Sequence, residues 1–516
     1  MSVRISKIKL INFKRFENYT IEPNDRINIL VGDNEAGKSS ILQAIDLVAS
    51  GSIRKIEHLG LDKLFNIEAI KKFNDGKRSI KNLPKLIIEL YLEGISDHTL
   101  NGKNNTEKRS CDGLRMVCEP NSDFLSEITE SLKEANYFPF DYYSVRFSTF
   151  ADEGYSGYRK KLRTILINSS EMDSDYATND FIRRSYLQYT EDNTHERAVH
   201  KNQYRLMKTN FSEGQFAKLN SRIPTRDGYR FGLKTSSTFS FEDDLMVYEK
   251  DIPIDCKGTG RQIFIKTDLA LNRSGTTMDV VLIEEPENHL SAYNLRKLVN
   301  QLSNKVEGQL FITTHSSLIS TRLELNNLQI MRGGERPLKL NHLRQDTAKY
   351  FIKAPPVGII EFILAPKTIL VEGPSEYMLM DSFYKEIAGN KPEGENTNIL
   401  AIRGLSFKRY LEIAKLTGSR VAVITDNDGD YEKNCIEKYK DFHSLDNIKI
   451  FYETDNSKNT FEAVLFSDNS EICKEQFKDL KSMISHKTES AYKLLSESLP
   501  LNIPRYIKEA IQWIRG

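Results

Sequence analysis

The chain has 516 residues, which is enough for roughly two to four domains. Hydrophobic residues make up 39% and charged residues 28%, which is ordinary for a protein with buried cores and a heavily charged surface. The formal net charge of +1 excludes a global field that would draw the chain to nucleic acid, so any DNA binding must depend on a local basic patch.

The pattern of cysteines and the length of the apolar runs indicate the cellular compartment of the protein. The five cysteines are scattered and include no C-x-x-C pair, which favours reduced thiols over a disulfide framework or a zinc site. The N-terminus, Met1 to Ile5, alternates like a strand and does not have the pattern of a signal peptide. No apolar run approaches the roughly 20 residues needed to cross a bilayer. We therefore expect a soluble, cytoplasmic protein without membrane contact.

The first motif is a phosphate-binding loop between a predicted strand and a predicted helix. Ile27 to Val31 is a short apolar run, Gly32 to Ser39 matches G-x-x-x-x-G-K-[ST], and a helical pattern begins at Ser40. Backbone N–H groups would cradle the phosphates, Lys38 would neutralise the β- and γ-phosphates, and Ser39 would hold Mg²⁺. A purely structural glycine loop is the alternative. The predicted contacts to ATP are Gly32, Asn34, Gly37, Lys38, Ser39 and Ser40.

The chain then changes character. From about Asp152 to Arg222 it is polar, charged and poor in glycine and proline, which predicts a mostly helical insertion. Tyr229 to Tyr248 alternates between apolar and polar residues, which predicts strands.

Two further motifs follow apolar runs that predict buried strands. Glu284 and Glu285 come directly after Asp279 to Ile283, where an open parallel sheet binds its ligands. Glu284 would orient the water shell of Mg²⁺, and Glu285 would polarise the attacking water. The alternative is a solvated acidic turn. His315 follows the next predicted strand and is a candidate γ-phosphate sensor, with a structural histidine as its alternative.

The last part of the chain predicts a small parallel α/β domain. A linker is expected at Lys353 to Pro356, and the runs KTILVEG, NILAIRG, RVAVITDND and IKIFYE then alternate with helical stretches. Glu372 ends the first of these strands and Asp426 ends the third, with Asp428 and Asp430 at alternate positions after it. These acids would converge at one edge of the sheet, where hard oxygen ligands suit Mg²⁺ or Mn²⁺. A calcium-like surface loop or an ordinary Asp-Gly turn is the alternative for residues 426–430.

The N-terminal motifs resemble a known group of ATPases. The segments ISKIKLINFKRF, LIEEPENHL and THSS, together with the phosphate loop, are similar to the ATPase head of the SMC, RecF and OLD (overcoming lysogenization defect) group. The resemblance implies that ATP is bound between two heads and that a signature loop of one head caps the γ-phosphate on the other. The matching stretch runs from Lys257 to Gln262, with Lys257, Gly258 and Gly260 as expected contacts. It departs from the group at Lys257, where a serine is common.

The C-terminal motifs resemble the Toprim domain of topoisomerases, bacterial primases and OLD-family nucleases. This resemblance implies two metal ions, with Glu376 and Glu462 added to Glu372, Asp426, Asp428 and Asp430 as ligands. It also implies that Lys487 stabilises the scissile phosphate, in a two-metal hydrolysis that leaves 3′-hydroxyl and 5′-phosphate ends. For Glu462 and Lys487, an ordinary surface charge is the alternative.

Both resemblances together imply an OLD-family nuclease. We expect an α/β chain in which an ABC/SMC-like ATPase head with a helical insertion precedes a C-terminal, Rossmann-like Toprim domain. The expected domains are the ATPase N-terminal lobe (1–151), a helical insertion that forms a dimer (152–225), the ATPase C-terminal lobe (226–354) and the Toprim nuclease (355–516). ATP with one Mg²⁺ and two Mg²⁺ or Mn²⁺ ions in the Toprim site are the expected cofactors.

The resemblance further implies a metal-dependent DNA endonuclease in anti-phage defence, Gabija-like or retron-associated. A homodimer or higher oligomer is expected, with a helicase, or a reverse transcriptase and its RNA–DNA product, as a defence partner. Arg403, Lys408 and Arg409 are candidate DNA contacts, as are basic runs at residues 71–78, 159–163 and 183–184, whose alternative is a solvated surface. A DNA repair or replication loading protein, a Toprim primase or topoisomerase, and a structural subunit with an ATPase-like fold stay open as alternatives.

Overall fold

Short apolar runs separated by helical stretches dictate a chain rich in both strands and helices. The computed structural model describes the chain except for residues 1–2, 95–96, 135–136, 157–160, 169–174, 191–192, 224–228, 235–240, 272–278, 306–307, 356–357, 403–405 and 498. Two compact units emerge, one made of residues 1–30, 34–314 and 333–337 and the other of residues 31–33, 315–332 and 338–516.

Up to Thr314 the described residues form twelve strands and nine helices. The strands are β1 (Arg4–Phe13), β2 (Phe16–Ile21), β3 (Ile27–Gly32), β4 (Leu86–Glu93), β5 (Asn101–Gly102), β6 (Cys111–Pro120), β7 (Tyr143–Thr149), β8 (Thr164–Asn168), β9 (Tyr248–Glu249), β10 (Ile252–Pro253), β11 (Val280–Glu284) and β12 (Gln309–Thr313). The helices are α1 (Lys38–Ser50), α2 (Ile53–Leu59), α3 (Ile67–Asp75), α4 (Leu125–Ser131), α5 (Asp175–Tyr189), α6 (Thr194–Gln215), α7 (Ala217–Asn220), α8 (Thr259–Leu271) and α9 (Ala292–Lys305).

After Thr314 the described residues form six strands and ten helices. The strands are β13 (Leu328–Met331), β14 (Leu338–Lys339), β15 (Lys367–Val371), β16 (Thr397–Ala401), β17 (Arg420–Ile424) and β18 (Ile448–Phe451). The helices are α10 (Ser317–Arg322), α11 (Gln345–Lys353), α12 (Ile359–Leu364), α13 (Pro374–Ala388), α14 (Phe407–Thr417), α15 (Phe461–Asp468), α16 (Ser470–Gln476), α17 (Leu480–Ser485), α18 (Lys487–Ser496) and α19 (Arg505–Arg515).

The first unit contains an antiparallel sheet and a parallel sheet. In the antiparallel sheet, strands follow the order β2-β1-β4-β6-β5, and β7 also pairs with β6. Alternation in β1 buries Ile8 and Leu10, as a sheet with one covered face requires. The parallel strands β3, β12, β11 and β8 lie side by side in that order. Every residue of β11 and β12 is buried, so these strands read as continuous apolar runs.

The second unit is built around a four-stranded parallel sheet in the order β16-β15-β17-β18. Its apolar strands are covered by helices, among them α19, which buries Tyr506, Ile507, Ala510, Ile511 and Ile514 at helical spacing. These side chains join a core that includes Ile369, Ala422 and Phe451 of the sheet. The C-terminal part therefore has the Rossmann-like α/β fold that the sequence predicts.

The prediction of strands from Tyr229 to Tyr248 was wrong for the residues that the structure describes. Residues 229–234 have no regular secondary structure, Phe241–Asp244 is a 3₁₀ turn, and only the two-residue strand β9 begins at Tyr248; residues 235–240 lie outside the described part of the chain. Tyr229 and Phe231 are 70% and 57% exposed, so the alternation here does not mark a buried face. The helical insertion expected from about Asp152 to Arg222 is also corrected in part. Residues 164–168 form β8, a strand of the parallel sheet beside β11, and α5, α6 and α7 are the helices that the structure describes in this range.

Candidate functional site: a nucleotide loop and a carboxylate cluster

The phosphate loop joins β3 to α1. Gly37 has a left-handed backbone, with φ of 91°, and a Cβ on it would lie 2.4 Å from Cζ of Phe16, so both conformation and space require glycine. Lys38 begins α1 and is only 4% exposed. Ser39 and Ser40 follow in the first turn, where free N–H groups and the helix dipole favour an anion. The loop and the buried lysine therefore fit a bound triphosphate.

The acids after β11 are held in a defined arrangement. Glu284 is the last residue of the strand and is buried, with Thr313 of β12 as its neighbour in register. Glu285 has φ of 39°, and its N–H donates to the carbonyl oxygen of Thr313 at 3.0 Å. Its carboxylate accepts a hydrogen bond from Nδ2 of Asn288 at 2.9 Å. Asn288 thus orients the carboxylate that was expected to polarise water.

Glu287 belongs to the same acidic run but not to the predicted set. Its Oε1 accepts a hydrogen bond from the Thr314 hydroxyl at 2.7 Å, which ties the acidic turn to the segment that carries His315. His315 directly follows Thr314 and is half-buried. The sequence signal for Glu287 and Asn288 was their place in the continuous run after β11.

The expected signature loop precedes α8. A Cβ on Gly260 would lie 2.4 Å from the carbonyl oxygen of His289, so glycine allows α8 to approach the acidic turn closely. Lys257 Nζ lies 3.3 Å from Oε2 of Glu249, which also pairs with Arg261. Hydrogen bonds from Arg261 and Lys257 lower the pKa of Glu249 to about 2. Around Gly258 there is open space, whereas the Lys257 ammonium is engaged within its own chain.

In the second unit, Glu372 and Asp426 meet at the carboxyl edge of the sheet. They follow β15 and β17, which are adjacent and parallel, so both strands end at the same edge. Oε1 of Glu372 accepts hydrogen bonds from the Thr425 hydroxyl at 2.6 Å and from the N–H of Asp426 at 3.0 Å. Oδ1 of Asp426 accepts one from the N–H of Phe461 at 2.8 Å.

Two buried carboxyls complete the cluster. Glu376, in the first turn of α13, is 7% exposed, and Glu462, in the first turn of α15, is 2% exposed. Burial, with the negative charge of Glu372 next in size, raises the pKa of Asp426 to about 8. Burial, with the negative charges of Glu462 and Glu372, raises the pKa of Glu376 to about 7. We refer to Glu372, Glu376, Asp426 and Glu462 as the carboxylate cluster.

Lys487 provides a positive charge to this cluster. Its Nζ lies 2.8 Å from Oε2 of Glu462, and its side chain is 45% exposed. Burial lowers the pKa of Lys487, but the hydrogen bond and charge of Glu462 and the charges of Asp426 and Glu376 outweigh this effect, so the pKa is raised overall. Lys487 in turn lowers the pKa of both Asp426 and Glu376.

The remaining predicted acids lie outside the cluster. Asp428 and Asp430 are both exposed. Asp428 has φ of 49° and donates its N–H to the carbonyl oxygen of Asn459 at 3.2 Å. Oδ1 of Asp430 accepts a hydrogen bond from the N–H of Lys433 at 3.1 Å, where it caps the π-helical turn Glu432–Ile436.

Asn427 was missed by the sequence reasoning and fixes the acidic loop. It is 1% exposed, and its Nδ2 donates to the carbonyl oxygens of Glu453 at 2.8 Å and Asp455 at 3.1 Å. Its Oδ1 accepts from the N–H of Gly429 at 2.9 Å. Its position between two predicted ligands was the available signal.

The cluster suits a divalent cation by its donor chemistry, since hard carboxylate oxygens crowd at one edge and repel one another. Across the part of the chain that the structure describes, no three His, Cys, Asp or Glu side chains stand ready to hold a metal ion together. The cause is visible in the contacts: Glu372 and Asp426 are turned towards Thr425 and backbone N–H groups, and Glu462 towards Lys487. A cation that binds Glu462 would have to displace the Lys487 ammonium.

The candidate DNA contacts differ in whether their side chains already form ion pairs within the chain. Arg409 donates to Asp346 at 2.7 Å and to Thr347 at 2.6 Å, whereas Lys408 is exposed. Arg163 pairs with Asp279. Among the other candidates, Lys72 pairs with Glu17 and Lys161 with Asp97. Arg159, Lys160, Arg403 and the side chain of Arg184 lie outside the described residues.

In the described ranges, no helix has the length and apolar composition that spanning a membrane demands.

Comparison with family models identifies both parts of the chain. The model "Overcoming lysogenization defect protein-like, TOPRIM domain" matches residues 363–428, which include Glu372, Glu376, Asp426 and Asp428. The model "AAA ATPase domain" matches residues 4–223, and a further AAA domain model matches residues 130–321.

Similarity to individual proteins is more distant. The DNA replication and repair protein RecF of Alkaliphilus oremlandii (strain OhILAs) is 30% identical over 54 residues, which is 10% of this chain and only 15% of the length of that relative. The SMC head domain from Thermotoga maritima is 14% identical with a TM-score of 0.27, covering 63% of this chain and 94% of that one. The ATP complex of the recombination mediator RecF is 12% identical with a TM-score of 0.33, covering 61% and 92%.

The two family matches lie in series, in the order that the sequence predicts. The first includes the phosphate loop, and the second includes Glu372, Glu376 and Asp426 of the carboxylate cluster but ends before Glu462. The chain is therefore an ATPase domain followed by an OLD-like Toprim domain.

Proposed function

We propose that the chain is an ATP-regulated, metal-dependent DNA endonuclease, which nicks DNA or cleaves both strands, and that it acts in anti-phage defence. The observation that carries the proposal is the carboxylate cluster at the carboxyl edge of the Toprim sheet, with Lys487 beside it. The proposed role in defence rests on the similarity to the OLD-like Toprim model alone, and no particular helicase or reverse-transcriptase partner is favoured by the described residues.

The energetics of the cluster support a cation-dependent reaction. Burial and mutual repulsion raise the pKa of Asp426 and Glu376 far above the ordinary carboxyl range, so ionising the whole cluster is costly. Two Mg²⁺ or Mn²⁺ ions would offset this cost, with Glu372, Glu376, Asp426 and Glu462 as the residues that hold them and Asp428 and Asp430 at the exposed end. Bound there, such ions supply activation of water and neutralisation of charge on a phosphodiester.

The protein's own residues would set the geometry. Thr425 and the N–H of Phe461 hold the carboxylates of Glu372 and Asp426 in place. Asn427 fixes the loop that presents Asp428. The half-exposed ammonium of Lys487 is the group available to meet the charge of a scissile phosphate.

The ATPase part would regulate cleavage. Gly32, Asn34, Gly37 and Ser40 would contribute backbone contacts to ATP, with Lys38 on the phosphates and Ser39 and Glu284 on one Mg²⁺. Glu285 would polarise water and His315 would sense the γ-phosphate. Lys257, Gly258 and Gly260 would cap the nucleotide of a second copy, for which Lys257 must leave Glu249.

Helix α6 supports a homodimer or higher oligomer. This helix of 22 residues has no buried residue in a single copy of the chain. It exposes Val199, Leu206, Met207 and Phe211, at 44%, 50%, 58% and 48%. A helix with so much exposed apolar surface fits a subunit interface. We therefore propose α6 as the dimerisation element within residues 152–225, a range in which β8 belongs to the parallel sheet. The ATPase lobes at 1–151 and 226–354 and the nuclease at 355–516 stay as predicted.

A plasmid assay tests the proposal. Wild type should convert supercoiled DNA to nicked or linear forms with Mg²⁺ or Mn²⁺, and Asp426→Ala should lose this activity, by about 10²-fold or more, while it still binds ATP. Asp441→Ala, at an exposed position of the same unit, is the matched control and should cleave like wild type. Absence of cleavage by wild type would favour a loading or structural role, and equal cleavage by Asp426→Ala would place the chemistry elsewhere.

A further inference from the structure

The ion pair between Lys487 and Glu462 joins two residues that were expected to have separate tasks. Lys487 begins α18 and Glu462 lies in the first turn of α15, so only the packed fold brings them together. The separation of 2.8 Å between Nζ and Oε2 makes a close ion pair. While the pair exists, the Glu462 oxygen is covered and the ammonium is directed inwards.

The two partners differ in their access to solvent. The side chain of Glu462 is 3% exposed, whereas that of Lys487 is 45% exposed. A buried carboxylate without a counter-charge is costly, so Glu462 requires some cation. Lys487 can leave without creating a cavity, because its ammonium sits on a flexible four-carbon stem at the surface.

The charge of Lys487 also reaches the rest of the carboxylate cluster. It lowers the pKa of Asp426 and of Glu376, whereas burial and the neighbouring acids raise both pKa values. One ammonium therefore serves several carboxylates, which is the electrostatic task that a divalent cation would perform with twice the charge.

We propose that Lys487 is an exchangeable counter-ion, which neutralises Glu462 in the metal-free protein and leaves it when a divalent cation enters the carboxylate cluster. The displaced ammonium then faces solvent beside the cluster and is free to contact a phosphate, a consequence that rests on the proposed function. Metal entry and exposure of Lys487 are thus one event, and the cluster never holds its full carboxylate charge without a cation. The competing arrangement is a permanent structural pair that stays closed when metal binds.

The first test measures the exposure of the amine in the full-length wild-type protein. Acetylation by an N-hydroxysuccinimide ester, quantified by peptide mass spectrometry, is compared in EDTA and in saturating Mn²⁺ without nucleotide or DNA. Lys487 should be modified at least about threefold faster with Mn²⁺, because its ammonium no longer pairs with Glu462. Lys493, on the same helix and bonded to the Gln476 carbonyl oxygen, should be modified equally in both conditions. Unchanged or slower modification of Lys487 would overturn the proposal.

The second test measures Mn²⁺ affinity by calorimetry. Lys487→Met should bind Mn²⁺ about tenfold or more tightly than wild type, since no resident cation has to be displaced. Lys493→Met should bind like wild type. Equal or weaker binding by Lys487→Met, or no Mn²⁺ binding by wild type, would overturn the proposal.

Plasmid cleavage measured in parallel separates this inference from the proposed function. If Mn²⁺ displaces Lys487 but the protein cleaves no DNA, the proposed endonuclease function is contradicted and the counter-ion proposal is still supported. If the protein cleaves DNA but Mn²⁺ does not displace Lys487, the counter-ion proposal is contradicted and the proposed endonuclease function is still supported.

Discussion

At the scale of single residues, Asp426 and Glu376 link the charge of the cluster to the stability of the fold. Both carboxyls hold their protons more tightly in the folded protein than in the unfolded chain, because their pKa values are raised to about 8 and about 7. Their contribution to the free energy of unfolding is therefore complete below about pH 4 and is lost as the pH rises towards 8. The metal-free protein should be more stable at pH 5 than at pH 8.

Replacing Asp426 by asparagine tests this linkage. Asn keeps an oxygen that can accept the N–H of Phe461 but cannot ionise. In EDTA, Asp426→Asn should therefore be more stable than wild type at pH 8, and its advantage should shrink by up to about 1.4 kcal/mol for each pH unit towards pH 5. Urea unfolding monitored at several pH values measures the difference.

Asp441→Asn, at an exposed position, should follow wild type at every pH. A pH profile of Asp426→Asn parallel to that of wild type would contradict the raised pKa. A variant less stable than wild type at pH 8 would contradict the cost assigned to the buried charge.

Glu285 is the residue on which ATP turnover should depend. Its carboxylate is oriented by Asn288, and its amide is held by Thr313, so Glu285→Gln should preserve the fold of the turn. The side-chain amide of glutamine cannot polarise water as the carboxylate of Glu285 does. Phosphate release should therefore fall by about 10²-fold or more while ATP binding persists. Glu57→Gln on α2 is the control, and turnover at the wild-type rate in Glu285→Gln would remove Glu285 from this role.

The sequence carried the positions of some of these residues but not their partners. Glu372 and Asp426 directly follow apolar runs in a parallel α/β pattern, so their meeting at one edge could be predicted from strand order alone. The pairing of Glu462 with Lys487 could not, because it depends on how α15 and α18 pack within the helical layer. The contacts of Asn427 depend on a loop after β18 for the same reason.

At the scale of elements, periodicity succeeded where a strand or helix has a buried face. The buried strands β11, β12, β15 and β17 were predicted because each contains at least three consecutive apolar residues. Alternation gave a wrong prediction from Tyr229 to Tyr248, where Tyr229, Phe231, Leu233 and Tyr248 are exposed in a single copy of the chain. Alternation alone does not reveal whether a face is covered.

Helix α6 gives the prediction that belongs to this scale. If its exposed apolar side chains form a subunit interface, Leu206→Asp should dissociate the oligomer, because burying an unpaired charge costs at least about 2 kcal/mol. Sedimentation velocity measures the mass. Asn202→Asp on the same helix adds the same charge at an exposed polar position and should leave the oligomer intact. An unchanged mass for Leu206→Asp would place the interface elsewhere.

At the scale of the whole molecule, the segment after β12 continues the chain from the ATPase motifs into the unit that contains the Toprim sheet. Residues 315–332 belong to the same compact unit as the Toprim sheet. In that unit, the hydroxyl of Ser317 donates to Glu361 at 3.2 Å and accepts from the N–H of Ile360 at 3.3 Å. Helix α12, which contains Ile360 and Glu361, leads directly into β15 and Glu372. The motif that carries His315 is therefore tied to the element that positions a metal-binding candidate.

The central claim is that the carboxylate cluster takes up divalent cations, and crystals soaked in Mn²⁺ test it most directly. Anomalous scattering should locate manganese within roughly 2.0–2.6 Å of carboxylate oxygens of Glu372 and Asp426, with the Lys487 ammonium withdrawn from Glu462. A structure in which Glu462 stays paired with Lys487, with no manganese between the carboxylates at saturating concentration, would contradict the account.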